Sequence, residues 1–193
     1  MSLVLRPELE AEHAPRITQA AAVGVAKALC SIEVAAGIKW PNDLLVKGRK
    51  ICGILAAGAM HATKPGRTAH GGTASIILGV GLNANLDPRD LGLPDDKIAT
   101  IRSVLGRDVD ETRLLETILS HLDYELRRIK YFESILADWR RLNCTLGKRV
   151  RVYKSDKILE GVALDLSPEG ALILSVGGKT IELFEGEIEH LQL

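Results

Sequence analysis

The sequence predicts an α+β protein in two parts, with a β-sheet flanked by helices over residues 1–142 and a small β-barrel over residues 143–193. Three observations support this prediction. Short apolar runs bounded by Gly, Pro and Asn occur in the first half of the chain and are typical of strands. Two longer stretches, 14–29 and 115–129, repeat their apolar residues at helical spacing. In the C-terminal part, apolar and polar residues alternate between frequent turn signals, as they do in small barrels.

The composition argues against several classes of function. The 193 residues include 25 basic and 25 acidic side chains, a balance that argues against a strongly basic nucleic-acid binder. Aromatic residues make up only 4% of the chain, which is too few for a base-stacking surface. The apolar share of 46% is sufficient for a sizeable core, so we expect a globular protein.

Cysteine and histidine usage predicts that the protein builds no metal site of its own. The three cysteines are far apart and odd in number, and the five histidines show no HxxxH or HExxH spacing. Buried free thiols in a reducing compartment are the simplest explanation. The chain has neither an apolar run of about 18 residues nor a basic-then-apolar leader, so we expect a cytoplasmic protein that does not interact with membranes.

The N-terminal elements are a strand and an alanine-rich helix. Residues 3–5 form an apolar run that Arg6 and Pro7 end, and a strand this short at a terminus suggests a chain cut from something longer. The helix over residues 14–29 has Pro15 in its first turn, where the missing N–H costs little. Its many alanines predict close packing against a sheet.

The stretch from residue 38 to residue 58 contains two strands, 44–46 and 51–57, joined by a charged turn. Pro41 pushes the residue before it into an extended conformation, so Lys39 lies on a rigid corner in front of the first strand. A long cation on such a corner can meet an anionic ligand. It can equally be one more solvated charge, and the local pattern leaves both interpretations open.

A third strand over residues 73–82 follows a polar segment, 60–72, that we interpret as a surface hairpin loop. Its apolar run, 76–78, predicts burial on both faces. Gly79 and Gly81 are two residues apart and therefore lie on one face, where a bare backbone allows a flat group to approach. The alternative is that the two glycines make room for a neighbouring helix.

The remaining elements are helices followed by the barrel. We predict a helical turn within 98–105, a helix capped by Asp110, and another helix over 132–142 after a kink. The apolar face of the capped helix is Leu115, Ile118, Leu119, Leu122, Leu126 and Ile129. Four or five short strands follow from residue 148 onwards, with a Gly177-Gly178 hairpin turn. We interpret the basic residues at the start of this part as a solvated strand face.

Taken together, these motifs resemble the biotin–protein ligases. Three segments carry the resemblance: Lys39-Trp40-Pro41-Asn42-Asp43, then Lys50-Ile51-Cys52-Gly53-Ile54-Leu55, then Gly79-Val80-Gly81-Leu82-Asn83. The first two in this order are quite specific, whereas the third would be weak alone. A small terminal barrel after a long helix adds support.

The resemblance implies a mixed sheet like that of class II aminoacyl-tRNA synthetases, followed by an SH3-like barrel. It also implies a two-step reaction in which biotin and ATP, with Mg²⁺, give biotinyl-5′-adenylate, which a lysine of a biotin carboxyl carrier domain then attacks. The role it gives Lys39 is to stabilise the charge that develops in both steps. The biotin- and ATP-binding residues that it implies are Asn42, Gly53, Ile54, Leu55, Gly79, Gly81 and Asn83.

The sequence also departs from the family pattern. No Gly-Arg-Gly-Arg loop, which in the family closes over the adenylate, occurs in these 193 residues, and neither does a helix-turn-helix. We therefore expect an incomplete ligase that binds the adenylate poorly alone, as a fragment, as a truncated gene product or as a chain whose missing part a separate chain supplies. The sequence leaves the oligomeric state, including a homodimer, open. The alternatives are a non-catalytic binding or dimerisation module and a lipoate–protein ligase.

Overall fold

The computed structural model describes residues 1–7, 13, 15–59, 75–91, 96–154 and 157–191. The N-terminal part is a five-stranded sheet packed against helices, and the C-terminal part is a second five-stranded sheet. The α+β class and the terminal β-unit predicted from the sequence are confirmed. The hairpin loop predicted for residues 60–72 lies outside the described residues. None of the helices in the described ranges is long and apolar enough to cross a membrane.

The N-terminal sheet has the strand order β1-β5-β4-β3-β2, and every ladder between these strands is antiparallel. Among the described residues, parallel pairing is limited to two isolated bridges, Ile38 to Asn143 and Lys50 to Ile98, so the expected mixed sheet is mixed there only through these bridges. The turn between β3 and β4 is formed by Lys47 and Gly48, which both have positive φ. The strands are β1 (Ser2–Leu5), β2 (Gly37–Lys39), β3 (Asp43–Val46), β4 (Arg49–Ala59) and β5 (Ser75–Leu82).

Four helices accompany this sheet: α1 (Pro15–Ser31), α2 (Ile101–Leu105), α3 (Glu111–Arg127) and α4 (Phe132–Leu142). Helix α1 is buried along nearly its whole length because it lies between the sheet and the pair α3 and α4. Gly24 allows α3 to approach α1 closely, since a Cβ at this position would lie 3.2 Å from the His121 carbonyl oxygen. The close packing that the small side chains of α1 predict is therefore made against α3 as well as against the sheet.

Helix α3 begins at the predicted N-cap, where the Asp110 carboxylate accepts hydrogen bonds from two backbone N–H groups of the first turn. Its predicted apolar face is only partly correct. Leu115 and Leu119 are 42% and 37% exposed, because the helix meets α1 along residues one position earlier in the chain, such as Leu114 and Ile118. A short 3-10 turn, Ile129–Tyr131, then separates α3 from α4 and supplies the predicted kink.

One face of the N-terminal sheet is packed and the other is open. Ile76 and Leu78 are buried towards α1, whereas Ile77, Leu55 and Val4 are 50%, 67% and 61% exposed on the opposite side. The prediction that β5 is buried on both faces is therefore wrong for the part of the chain that the structure describes. A run of apolar residues does not reveal whether a second layer covers them.

The C-terminal sheet has the order β10-β6-β7-β8-β9 and is antiparallel throughout. Its strands are β6 (Arg149–Lys154), β7 (Lys157–Leu166), β8 (Leu172–Val176), β9 (Lys179–Leu183) and β10 (Glu187–His190). The two sheets share one apolar core, and the Gln19 amide of α1 donates to the Gly170 carbonyl at 2.6 Å. On the solvated side, Arg151 pairs with Glu160 and Glu189, as expected for a solvated strand face.

Candidate functional site

Lys39 ends strand β2 and lies on the open side of the sheet. Its neighbours Ile38 and Trp40 are both fully buried, and side chains alternate along a strand, so Lys39 points away from the core. It lies directly opposite Asp43 in the β2–β3 ladder. The peptide bond from Trp40 to Pro41 is cis. The corner predicted from Pro41 therefore exists, with its aromatic side chain buried and its lysine outside.

Asn42 joins this corner to strand β4. Its side-chain amide donates to the Ile54 carbonyl oxygen at 2.7 Å, and the Ile54 N–H donates to the Asn42 carbonyl oxygen at 2.9 Å. Ile54 itself is buried towards the core, so only its backbone faces the site. Asn42 thus has a clear structural role, because it fixes the corner in relation to strand β4, which forms part of the exposed sheet face beside it.

An ion pair covers part of the exposed sheet face beside the corner. Lys50 Nζ lies 2.6 Å from Asp43 Oδ1, and Asp43 faces Gly53 across the β3–β4 ladder. A Cβ on Gly53 would lie 3.3 Å from both Cε and Nζ of Lys50. Gly53, which the resemblance implied as a biotin- or ATP-binding residue, therefore lies beneath a lysine side chain in this structure.

Gly79 and Gly81 leave the rest of this exposed sheet face, which we call the floor of the site, uncovered. Gly81 pairs with Gly53 and Gly79 with Leu55, which places all four residues on the exposed side. A Cβ at Gly79 or Gly81 would meet nothing closer than a carbonyl oxygen of the adjacent strand, at 3.6 and 3.8 Å. No helix in the described part of the chain needs the space above them, which favours the interpretation that a flat ligand group approaches here.

Asn83 is bound into the fold at the end of β5. Its N–H donates to the Ile51 carbonyl oxygen at 2.9 Å, and its side-chain amide donates to the Ala99 carbonyl oxygen at 3.1 Å. Its own carbonyl oxygen accepts from the Ile101 N–H at 3.0 Å. Asn83 therefore links two sheet strands to the start of α2, and this role uses the side-chain amide of a residue that the resemblance implied to bind biotin or ATP.

The described charges at the site are those of Lys39, Lys50 and Asp43, which together are net positive. Within the described ranges, no carboxylate forms an ion pair with Lys39, whose charge therefore faces the open side. Burial raises the pKa of the Cys52 thiol to about 12, with the Asp43 carboxylate as a further cause. Burial likewise raises the pKa of Cys144. Both thiols thus stay protonated and suit no nucleophilic role at neutral pH. The third cysteine, Cys30, is exposed, so the prediction of buried thiols is wrong for it.

The C-terminal unit contributes a group that the sequence did not suggest. His190, at the end of β10, has its pKa lowered to about 4 by burial and by the charges of Lys148 and Lys39. Its Nε2 lies 3.2 Å from Thr145 Oγ1, which also accepts a hydrogen bond from the Trp40 N–H at 3.2 Å. No sequence pattern indicates this contact, because the partners come from distant parts of the chain. Asp43 and Lys50 could have been found from the pairing of β3 with β4.

A lysine corner beside a glycine-lined, open sheet face is a candidate ligand-binding surface on an α+β protein with an appended β-unit. A family model described as "Biotin/lipoate A/B protein ligase family" matches residues 1–83, and one described as "Biotin protein ligase C terminal domain" matches residues 145–191. The apo structure of biotin protein ligase from Aquifex aeolicus has a TM-score of 0.81 at 22% identity, covering 98% of this chain and 81% of that one.

Curated relatives agree with these matches. The chain is 33% identical over 200 residues to the "Bifunctional ligase/repressor BirA" of Bacillus subtilis, covering 98% of this chain and 57% of the relative. It is 34% identical over 161 residues to the "Biotin--[acetyl-CoA-carboxylase] ligase" of Mycobacterium tuberculosis, covering 81% and 53%. This chain belongs to the biotin protein ligase family. It spans a little over half the length of these two relatives.

Proposed function

We propose that this chain takes part in the ATP-dependent attachment of biotin to a lysine of a biotin carboxyl carrier domain. The observation that carries the proposal is the Lys39 charge, which faces an open sheet floor lined by Gly79 and Gly81. The comparisons support it, since relatives over both parts of the chain carry the ligase name.

The chemistry needs a fixed cation more than it needs a nucleophile. In the first step a carboxylate oxygen of biotin attacks the α-phosphorus of ATP, and the bond to pyrophosphate breaks. Both reactants are anions, so a protonated Lys39 Nζ at the meeting point lowers their repulsion and stabilises the charge on the phosphoryl oxygens. In the second step the carrier amine attacks the adenylate carbonyl carbon, and AMP leaves with its bonding electron pair.

The floor and the ion pair have separate tasks in this proposal. Gly79 and Gly81 allow the flat part of the ligand to contact the backbone, and the exposed side chain of Leu55 covers its apolar part. Asn42 and Asn83 hold the strands beneath it. Gly53 leaves room for Lys50, a second cation at the rim of the floor.

Magnesium would enter with the nucleotide. The described residues contain no group of three or more His, Cys, Asp or Glu side chains that could hold an ion. Asp43, the carboxylate that faces Gly53, is already paired with Lys50. The residues described here therefore do not fit a metal site built by the protein, and no step of the mechanism is assigned to one.

Two alternatives use the same floor. Lipoate attachment is compatible with the family that matches residues 1–83, but the match over residues 145–191 to a biotin ligase C-terminal domain favours biotin. A non-catalytic binding or dimerisation module would bind the ligand without forming an adenylate.

We also propose a domain division at residues 142/143, an SH3-like C-terminal barrel, and a cytoplasmic location in keeping with three free thiols. We further propose that the chain associates with a second copy of itself or with a separate chain that completes the site. Analytical ultracentrifugation, which measures the mass of the particle in solution, checks this proposal.

The test combines calorimetry with biotin-dependent ATP–pyrophosphate exchange. In a version of the ligase completed with the Gly-Arg-Gly-Arg loop, we expect biotin to bind and lipoate not to bind, and we expect the Lys39→Ala variant to lose exchange by at least about a hundredfold, the scale of one lost oxyanion contact. Lys148→Ala is the matched control, because both lysines act on His190 and Cys144 but Lys148 lies outside the floor. Binding without exchange would favour the non-catalytic module, and unchanged exchange in Lys39→Ala would remove Lys39 from the mechanism.

A further inference from the structure

The outer edge of β2 is covered by the segment that leads into the C-terminal sheet. β2 is the last strand of its sheet, so its outer backbone groups need partners elsewhere. The Cys144 N–H donates to the Ile38 carbonyl oxygen at 2.8 Å, next to the parallel bridge between Ile38 and Asn143. The Trp40 N–H, one residue past the end of β2, donates to Thr145 Oγ1 at 3.2 Å. A side-chain hydroxyl thus continues the pairing where the backbone pairing stops.

Thr145 is itself firmly held. It is fully buried, its N–H donates to Asn143 Oδ1 at 2.9 Å, and its carbonyl oxygen accepts from the Lys148 N–H at 3.2 Å. Its hydroxyl oxygen accepts from Trp40, so the hydroxyl proton is free to be donated to His190 Nε2, 3.2 Å away. The neutral imidazole, which burial of His190 favours, presents the acceptor that this arrangement needs.

We propose that Thr145 is a positioning residue, whose hydroxyl fixes the backbone corner that carries Lys39. The Trp40 nitrogen is one peptide unit from the Lys39 Cα atom, and none of the described carboxylates pairs with the Lys39 side chain. The position of the Lys39 side chain is therefore set mainly by the backbone to which it is attached. The consequence for catalysis rests on the function proposed above, whereas the effect on the corner does not.

Hydrogen exchange of the Trp40 amide tests the effect on the corner. The chain has two tryptophans, so ¹⁵N-tryptophan labelling gives two backbone amide signals. Trp139, inside helix α4, is the internal reference. In Thr145→Val, which keeps the shape but removes the acceptor, we expect Trp40 exchange to rise on the order of tenfold relative to Trp139. Thr145→Ser should restore the original ratio. An unchanged ratio, or an equal rise at both tryptophans, would overturn the proposal.

A kinetic measurement tests the consequence for the reaction. In biotin-dependent ATP–pyrophosphate exchange, a displaced Lys39 weakens charge stabilisation in the transition state more than it weakens substrate binding. We therefore expect Thr145→Val to lower kcat on the order of tenfold with KM for biotin within about twofold, and we expect Thr145→Ser to recover kcat. Wild-type kcat in Thr145→Val would refute the positioning role. If the ligase completed with the Gly-Arg-Gly-Arg loop shows no exchange, the proposed function fails, and the Trp40 amide still decides whether Thr145 holds the corner.

Discussion

His190 makes the folded protein sensitive to acid. Its pKa falls from 6.5 to about 4, mainly through burial and further through Lys148 and Lys39. Because the folded pKa is lower than the unfolded one, the unfolded chain binds the proton more tightly. The stabilisation from neutral His190 is therefore complete above about pH 6.5 and is lost as the pH falls towards about 4.

The size of this effect follows from the pKa difference. One pKa unit corresponds to about 1.4 kcal/mol, so a change from 6.5 to about 4 sets an upper limit of about 3 kcal/mol. His190 is partly exposed to solvent, which screens its interactions with the two lysines. We therefore expect about 1–2 kcal/mol of the free energy of unfolding to disappear between pH 7 and pH 4.5 on account of His190.

Urea unfolding at pH 7 and pH 4.5 measures this loss. Carboxylates also titrate in this range, so the informative quantity is the difference between the wild type and His190→Gln, which cannot take up the proton. His121→Gln is the control, because the His121 ring bonds the Thr117 carbonyl oxygen within helix α3, away from the site. We expect the wild type and the control to lose more stability than His190→Gln. Equal losses in all three proteins, or an NMR titration of His190 near 6.5, would refute the reasoning.

Two further predictions concern packing and buried charge. Gly161→Ala should cost about 2–3 kcal/mol of unfolding free energy, because its Cβ would lie 2.1 Å from a backbone carbonyl oxygen of strand β8. Gly58→Ala, whose Cβ would meet nothing within 4 Å, should cost less than about 0.5 kcal/mol in the same urea experiment. Glu125→Ala should cost about 2–3 kcal/mol, because Glu125 is fully buried and pairs with Lys27 at 2.7 Å. The exposed Glu116→Ala is its control, and similar thermal unfolding of the two glutamate variants would contradict this prediction.

The strands could be predicted from the sequence because their signals are local. A glycine between two apolar runs indicates the turn of Lys47 and Gly48, and both residues have positive φ in the structure. The exposure of Ile77 could not be predicted in this way. Whether a second layer covers a strand depends on chain segments elsewhere, and an apolar run looks the same in both cases.

The site likewise has features that local sequence patterns predict and features that depend on distant residues. The corner at Lys39 follows from Pro41 two residues later, and the face shared by Gly79 and Gly81 follows from their spacing. The hydroxyl that holds the corner comes from Thr145, which is 105 residues away from Trp40 in sequence. No pattern within a short window can predict such a contact, and the same holds for the effect of Lys39 on His190.

This electrostatic connection makes His190 a reporter of the proposed site. Lys39 helps to lower the pKa of His190, so an anion bound against Lys39 offsets that charge and should raise the pKa of His190. An NMR titration of His190 with and without a non-hydrolysable biotinyl-adenylate analogue measures the change. In Lys39→Ala the pKa of His190 should already be higher and should respond less to the analogue, whereas Lys148→Ala should keep the response. An unchanged pKa of His190 at saturating analogue would show that the bound anion does not lie beside Lys39.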